Sequence, residues 1–322
     1  MTPDFARVTG CENIVNERQI IQRLKRIATD PAARGLADDA ALLDGLVITH
    51  DTIAEGVHFF PFDPPASVGW KLVAVNLSDL AAKGAGPHAA LLSMTIGDSD
   101  WDEAFLDGVE AACESYGLKL IGGDTISLTR GAPRVLGMTA IGEAGERVPS
   151  RAGGRPGDVL WLVGTLGDSV AGLAQLSDDP EAVGPLVDQY RRPVPQLAAG
   201  QVLAREANAM MDVSDGLLLD LSRMCAASGC GAEVDLDALP LSPAFIAERG
   251  QDRNARLFAA TGGDDYALLA ALPAGIDPVS LSLPTRTRVA AIGLLAEGGA
   301  IALRDAGGPV KLPERQGYEH RA

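Results

Sequence analysis

Residues 71–84, KLVAVNLSDLAAKG, form the stretch that decides the fold. Helical spacing extends this stretch to a predicted helix at residues 67–83. Asn76, Asp79 and Lys83 share one face of that helix through their i, i+3 and i+7 spacing, and apolar side chains such as Leu72 and Leu80 cover the remainder. The sequence therefore predicts an apolar helix that carries one narrow polar face.

Strand and helix patterns alternate on both sides of this helix. Short apolar, β-branched runs predict strands at residues 46–49, 89–96, 135–141, 161–165, 232–236, 266–271 and 289–294. Helical periodicity predicts further helices after Asn16 and at residues 102–116, 169–176 and 215–227. This alternation is typical of an α+β or α/β protein.

The segment 142–158 separates two such groups of elements. It is rich in Gly, Arg and Pro and has no periodicity, which is typical of a crossing between domains. A chain of 322 residues also has the length of two domains. With the boundary near Val148, we predict an N-terminal domain of residues 1–147 and a C-terminal domain of residues 148–322.

Composition excludes several classes of function. A formal net charge of −16 disfavours unaided binding to nucleic acid or to anionic membranes, which both require a basic surface. We expect no membrane span, because no apolar run reaches the length of about 18 residues that a span needs. Cys11, Cys113, Cys225 and Cys230 show neither C-x-x-C nor zinc spacing, which fits a cytoplasmic protein.

Six short acidic segments place aspartate beside glycine or at the end of an apolar run. They lie at residues 38–39, 49–52, 76–79, 122–125, 212–216 and 262–265. Each one alone is also typical of a turn or a helix cap, and Asp215 fits the N-cap of a helix that begins at Gly216. Together they favour Mg²⁺ sites, because Mg²⁺ prefers oxygen ligands and is commonly held by carboxylates and substrate phosphates.

Other common active-site motifs are missing from the sequence. It contains no G-x-x-x-x-G-K-[ST], no G-x-S-x-G and no H-E-x-x-H. Four dispersed histidines are too few for a zinc site. His58, which follows the acidic segment 49–52, is either a loop histidine with a local hydrogen bond or a ligand contact.

These acidic segments, in this order, resemble the thiamine-monophosphate kinase family of the aminoimidazole-ribonucleotide-synthetase-like superfamily. The resemblance covers nearly the whole chain, and residues 76–82 and 317–318 are its most specific parts. It implies an α+β fold, with an N-terminal mixed-sheet dimerisation domain and a C-terminal α/β domain folded over it. It also implies phosphorylation of thiamine monophosphate by ATP, with several Mg²⁺ ions, in a homodimer.

The resemblance also implies a role for individual residues. Asp51, Asp79 and Asp215 are implied to be catalytic. The implied metal-binding residues are Asp39, Thr49, His50, Asp51, Asp79, Asp124, Asp212 and Asp215, with the backbone oxygen as the alternative ligand at His50. The implied nucleotide contacts are Tyr116, Gly123, Asp124, Arg151 and Ser214. The implied substrate contacts are His58, Asp264 and Tyr318.

The sequence departs from the family pattern at three places. His50 stands where threonine or a small residue is usual, Ala267 replaces a frequent glutamate, and residues 126–127 replace a usual Thr-Arg pair. Two alternatives remain open. One is another ATP-using enzyme of the superfamily, such as a selenophosphate or aminoimidazole-ribonucleotide synthetase, and the other is a noncatalytic nucleotide-binding scaffold.

Overall fold

The computed structural model describes residues 17–285 and 287–319, so Cys11 and the predicted cap Asn16 lie outside the described residues. The described helices are α1 (Glu17–Leu24), α2 (Pro65–Ala82), α3 (Ser99–Tyr116), α4 (Asp168–Asp178), α5 (Pro185–Arg191), α6 (Leu197–Leu203), α7 (Leu217–Ser228), α8 (Pro243–Arg249) and α9 (Arg253–Thr261). Short 3₁₀ helices occupy Pro31–Leu36, Leu236–Ala238 and Pro278–Ser280. None of the helices within this described part of the chain has the length and apolarity of a membrane span.

Five strands form the first sheet. They are β1 (Ala41–Leu43), β2 (Leu46–Ala54), β3 (Gly86–Ile96), β4 (Lys119–Ser127) and β5 (Val135–Glu143). Their order across the sheet is β1-β2-β5-β3-β4, with antiparallel pairs except for the parallel β3–β4 pair. The sheet is therefore mixed, as predicted, and β4 lies at one edge.

Seven strands form the second sheet. They are β6 (Val159–Val163), β7 (Ala209–Val213), β8 (Gly231–Asp235), β9 (Ala267–Leu272), β10 (Val289–Ala296), β11 (Ile301–Asp305) and β12 (Gly308–Val310). Their order is β12-β11-β8-β10-β6-β9-β7, in which only β8 and β11 pair in parallel. The predicted domain boundary at Val148 lies between the two sheets and stays a prediction.

Helix α2 lies between the two halves of the molecule. It packs against α3, β2 and β5 of the first half and against α6 and β7 of the second. Gly69 of α2 and Gly108 of α3 allow a close approach, since a Cβ atom at Gly69 would lie 2.2 Å from the Phe105 carbonyl oxygen. Burial on both sides explains why the sequence of α2 is apolar on almost every face.

The sequence-based prediction missed five of the twelve described strands: β1, β4, β7, β11 and β12. β4 contains the acidic segment 122–125, in which Gly122 and Gly123 weaken the strand pattern. Every residue of β4 is exposed. Helices α5, α6, α8 and α9 were not predicted either, whereas the elements that were predicted lie close to their expected positions. The two-domain α+β architecture is confirmed.

Candidate active site

Three carboxylates from distant parts of the chain meet where the two sheets approach each other. Asp39 precedes β1, Asp79 lies on α2, and Asp212 lies on β7. One oxygen atom of each residue lies within 4.8 Å of the others. Because Mg²⁺ binds carboxylate oxygens, this cluster has the donor atoms that a divalent cation needs.

Strand β2 adds two side chains to the same face. Side chains alternate along a strand, so Thr49 and Asp51 point toward α2 while the intervening His50 is exposed. The Thr49 hydroxyl donates to the Asp79 carboxylate. The His50 ring instead lies 2.9 Å from the Thr139 hydroxyl. A metal role for His50 on the face of Thr49 and Asp51 would therefore have to use its backbone oxygen.

The predicted polar face of α2 holds this arrangement together. Asn76 accepts the backbone N–H of Asp51 at 3.0 Å, which fixes β2 against the helix. Two residues further along the helix, Ser78 donates to the Asp212 carboxylate at 2.7 Å and so reaches the second sheet. Ser78 belongs to the quoted motif, but its spacing alone did not indicate this contact.

Two cations compensate Asp39. The Lys83 ammonium, which is fully buried, lies 2.6 Å from both Asp38 and Asp39. The Arg151 side chain donates to Asp39 through Nε at 2.7 Å. Lys83 also donates to the backbone oxygen of Met210 at 3.0 Å, so it ties the acidic segment 38–39 to β7.

The aspartates consequently differ in pKa. Burial and the neighbouring Asp39 and Asp215 raise the pKa of Asp51 to about 6. Burial and Asp39 likewise raise the pKa of Asp212 to about 8, and burial and Asp51 raise that of Asp79 well above its ordinary value. Burial also opposes ionisation of Asp39, but Lys83 and Arg151 outweigh it and lower that pKa. A bound cation would relieve the crowding at Asp51, Asp79 and Asp212.

The interpretation of Asp215 as a helix N-cap is wrong. Gly216 occupies the cap position of α7, and the Asp215 carboxylate lies 2.5 Å from Arg223 instead. The buried Asp220 accepts the backbone N–H groups of Ser214 at 3.1 Å and Asp215 at 3.0 Å. Asp220 thus satisfies the amides before the helix, which leaves the Asp215 side chain beside the aspartate cluster.

Two clefts meet at the aspartates. Cleft 1 has a volume of about 510 Å³ and cleft 2 a volume of about 430 Å³. Five residues line both clefts and are called here the shared wall: Asp51, Asp79, Asp212, Ser214 and Asp215. Two ligands bound in the two clefts would therefore face each other across carboxylates.

Cleft 1 contains all three predicted substrate contacts, His58, Asp264 and Tyr318. His58 Nδ1 accepts the Ala54 N–H at 3.0 Å, as expected of a loop histidine with a local hydrogen bond, and the residue also lines the cleft, where its contact with a ligand stays a prediction. Apolar side chains make up much of the remaining lining: Ile53, Val57, Val75, Val170, Leu173 and Phe258. Such a cleft suits an organic ring system with a few polar groups.

The last described segment of the chain closes one side of cleft 1. The Tyr318 N–H donates to the Asp215 carbonyl at 2.8 Å. Gly317 packs so tightly there that a Cβ atom would lie 2.4 Å from the same carbonyl oxygen. Glycine is therefore required at position 317 for Tyr318 to reach the cleft.

The predicted nucleotide contacts do not all come together. Arg151 and Ser214 line cleft 2. Gly123 lies on the edge strand β4. Across the sheet, Asp51 on β2 pairs with Met138 on β5, which pairs with Leu92 on β3, which pairs with Gly123, so three strand spacings, about 14 Å, separate Asp51 from Gly123. Asp124 follows it on the same exposed strand.

Tyr116 also lies away from both clefts. It ends α3, and its ring centroid is 5.7 Å from that of Trp70. Within the described part of the chain, Tyr116, Gly123 and Asp124 thus contribute to neither cleft.

Comparison with known families identifies the architecture. Residues 37–144 match the model of the AIR synthase related protein N-terminal domain, and residues 155–274 match the corresponding C-terminal domain. The two matched segments contain the first sheet and most of the second. The class of protein is therefore that of the two-domain AIR synthase related proteins.

Individual relatives narrow this class. The chain is 43% identical to the thiamine-monophosphate kinase of Salmonella typhimurium over 74% of this chain and 76% of the relative. It is 37% identical to that of Caulobacter vibrioides over 93% of this chain and 89% of the relative. The chain belongs to the thiamine-monophosphate kinase family.

A solved structure agrees with this assignment. The structure described as AaThiL complexed with AMPPCP and TMP superimposes with a TM-score of 0.83 at 31% sequence identity. The match covers 95% of this chain and 97% of the other. The similarity therefore extends across both halves of the molecule.

Proposed function

We propose that this protein transfers the terminal phosphoryl group of ATP to the phosphate of thiamine monophosphate, producing thiamine diphosphate. The observation that carries the proposal is the shared wall, because a direct transfer needs two ligand sites that meet at one reaction centre. Membership of the thiamine-monophosphate kinase family supports the choice of reaction. AMPPCP, which is bound in the similar solved structure, is an analogue of ATP.

Cleft 2 is the proposed nucleotide site. It contains Arg151 and Arg223 beside Ser214, and guanidinium groups suit the binding of phosphate oxygens. Both arginines bond to carboxylates in this structure, Arg151 to Asp39 and Arg223 to Asp215. We propose that nucleotide phosphates share these arginines with the aspartates.

Cleft 1 is the proposed acceptor site. Its apolar lining supports the binding of the thiamine rings, and we assign Tyr318, which lines the cleft, to stacking on one of them. Asp264 supplies a carboxylate for a cationic or N–H group of the acceptor. The acceptor phosphate would then lie toward the shared wall.

The shared wall is proposed to hold several Mg²⁺ ions. Together with the adjoining Asp39 these residues fit the ion, because one carboxylate oxygen each of Asp39, Asp79 and Asp212 lies within 4.8 Å of the others, and burial raises the pKa of Asp79 and Asp212. Mg²⁺, when bound, supplies positive charge against the phosphates of both ligands. Thr49 orients Asp79 and Ser78 orients Asp212 by donating hydrogen bonds to them.

The main task of the protein's own residues would be to position and orient the two phosphate groups. The acceptor is a phosphate monoester that is largely ionised near neutral pH, so its oxygen needs no strong general base. Positioning and charge stabilisation carry most phosphoryl transfers. We therefore assign Asp51, Asp79 and Asp215 to holding the reaction centre, with Asp39, Thr49 and Asp212 as its further oxygen donors.

The proposal extends to a homodimer formed through the first sheet. Edge strand β4 exposes Leu120, Ile121 and Ile126 at 49%, 62% and 53%, and an exposed apolar edge strand favours pairing with another strand. A second copy on this edge would also enclose Gly123 and Asp124, which line neither cleft in one chain. Light scattering should give twice the chain mass of 33.4 kDa, and a fully active monomer would contradict the proposal.

A cytoplasmic location is proposed on separate grounds. Cys113, Cys225 and Cys230 are all free thiols in the described chain, and Cys225 and Cys230 are buried. Neighbouring free thiols are typical of a reducing compartment.

A coupled assay of ATP consumption tests the proposed reaction. With Mg²⁺ present, ADP should form only when thiamine monophosphate is added, and thiamine diphosphate should appear in equal amount. ATP hydrolysis that ignores thiamine monophosphate, or no turnover at all, would overturn the proposal.

A further inference from the structure

A buried ammonium group lies under cleft 1, and none of the roles proposed above uses it. Lys71 belongs to the first turns of α2, and its side chain is 2% exposed. Burial of a charged ammonium is unfavourable unless it is paired and hydrogen-bonded. The partners of Lys71 therefore indicate its role.

Lys71 contacts three groups. Its Nζ donates to Asp264 Oδ2 at 2.8 Å and to the His58 carbonyl oxygen at 2.9 Å, and it lies 4.0 Å from the centroid of the Tyr190 ring. Two of the three N–H donors of this ammonium are therefore hydrogen-bonded, and its charge also lies over the Tyr190 ring.

The two hydrogen-bond acceptors come from different halves of the molecule. His58 follows β2 in the first half, and Asp264 precedes β9 in the second. Both residues line cleft 1. Lys71 thus connects the His58 side of the proposed acceptor site to the Asp264 side.

Asp264 is held from several directions. Its second carboxylate oxygen accepts the Tyr266 hydroxyl at 3.0 Å, and its backbone N–H donates to the Ser214 carbonyl at 2.7 Å. Its φ of +65° is left-handed, a conformation that surrounding contacts must maintain in a residue other than glycine. Its side chain is nevertheless 27% exposed, so its carboxylate remains accessible from the cleft.

We propose that Lys71 is a positioning residue of the acceptor site, which fixes the Asp264 carboxylate so that it meets the cationic thiazolium ring of the acceptor. The inference rests on the proposed function, because it takes thiamine monophosphate as the acceptor. Without Lys71, Asp264 would lack its cation while Asp51, Asp79 and the other aspartates of the shared wall repel it. The carboxylate would then be free to leave its position.

A double-mutant cycle between Lys71→Met and Asp264→Asn tests this role. Affinity for thiamine monophosphate is measured by calorimetry with Mg²⁺ and AMPPCP present. Each single variant should weaken binding about tenfold, and the double variant should bind no more weakly than either single variant, because both changes remove the same contact. Affinity for AMPPCP should change less than about twofold, since cleft 2 is not altered.

Two further variants complete the test. Lys71→Arg keeps the cation and should bind thiamine monophosphate within about threefold of wild type. Arg256→Met removes a cation of the second half that bonds to the Leu236 and Leu239 carbonyls and lines neither cleft, and it should leave acceptor affinity unchanged. A general loss of stability would instead affect all variants and both ligands.

The outcomes separate this inference from the proposed function. Additive losses in the double variant, equal weakening of AMPPCP, or wild-type affinity in Lys71→Met would overturn the role of Lys71. A wild-type protein that neither binds nor phosphorylates thiamine monophosphate would overturn the proposed function itself.

Discussion

The two sides of the aspartate cluster differ in how their negative charge is compensated. On one side, Asp38 and Asp39 lie 2.6 Å from the ammonium of Lys83, and Arg151 also bonds to Asp39. On the other side, burial and neighbouring carboxylates raise the pKa of Asp79 and Asp212. The chain itself compensates the first side, whereas none of the described lysines and arginines forms an ion pair with Asp79 or Asp212.

The difference separates aspartates whose charge the chain already offsets from aspartates whose charge a bound cation would offset. Removing one partner of a compensated buried pair leaves an unpaired charge and destabilises the protein. Removing one charge from a crowd of carboxylates relieves repulsion. The two sides should therefore respond in opposite ways to substitution.

The largest effect is expected from Asp79→Asn. If Asp79 holds Mg²⁺ against the phosphates, kcat should fall by about a thousandfold, with partial rescue at high Mg²⁺. The melting temperature without metal should stay equal or rise, because one crowded carboxylate is gone. Turnover with titrated Mg²⁺ and thermal unfolding in EDTA measure both effects.

Asp158→Asn is the matched control for Asp79. Asp158 is buried outside both clefts and accepts hydrogen bonds from the Arg155 N–H and from Asn208. This variant should lose stability and keep its turnover per folded molecule. Normal turnover in Asp79→Asn would remove Asp79 from the reaction centre.

Lys83→Met should reverse the pattern seen for Asp79. It leaves Asp38 and Asp39 buried with fewer cations, so we expect a loss of about 3 kcal/mol in unfolding free energy. Urea unfolding without metal measures this loss, and Mg²⁺ should recover part of it. Unchanged stability would mean that Lys83 does not compensate these aspartates.

The stability of the metal-free protein should depend on pH through the aspartates whose pKa is raised. Aspartate in the unfolded chain ionises near 3.8, whereas the folded-state pKa is about 6 for Asp51 and about 8 for Asp212. Between these values the native state binds more protons than the unfolded state, so the unfolding free energy falls as pH rises from about 5 to 8. Melting temperatures in EDTA should decrease over this range.

Asp212→Asn gives the comparison for this pH effect. The variant should show a shallower decrease, most clearly between pH 6 and 8, since it cannot titrate at this position. A melting temperature that rises with pH in the wild type would contradict the assigned pKa shifts.

The smallest effect is expected from Tyr318→Ala, because this substitution removes neither a carboxylate nor a cation of the cluster. Tyr318 lines cleft 1 and is 39% exposed, so its loss should raise the KM for thiamine monophosphate several-fold and that for ATP little. Steady-state kinetics with each substrate varied in turn measures both KM values. Equal changes in both KM values would instead indicate a general packing role for Tyr318.

Much of this arrangement was predictable from the sequence. The spacing of Asn76, Asp79 and Lys83 predicted one polar face on α2, and the acidic segments supplied Asp39 and Asp212. Strand β4 was missed because its glycines and polar residues outweigh a β pattern, and only pairing with β3 establishes it.

The cations of the site were less predictable. Lys71 and Lys83 flank an apolar run, where a lysine is normally expected to reach solvent, and their buried partners come from distant segments. The predicted cap role of Asp215 failed because Gly216 occupies the cap position of α7 and the Asp215 carboxylate pairs with Arg223. Local motifs thus indicate which oxygen donors are present, whereas the pairing of their charges with cations depends on tertiary contacts.

The central claim is that the uncompensated aspartates bind Mg²⁺, and proton release tests it most directly. At pH 7 Asp212, with a pKa of about 8, is mostly protonated, so Mg²⁺ must displace its proton to bind there. Titration of the weakly buffered protein with MgCl₂ should release protons, and Asp212→Asn should release fewer. Mg²⁺ binding without proton release, or equal release from both proteins, would contradict the account.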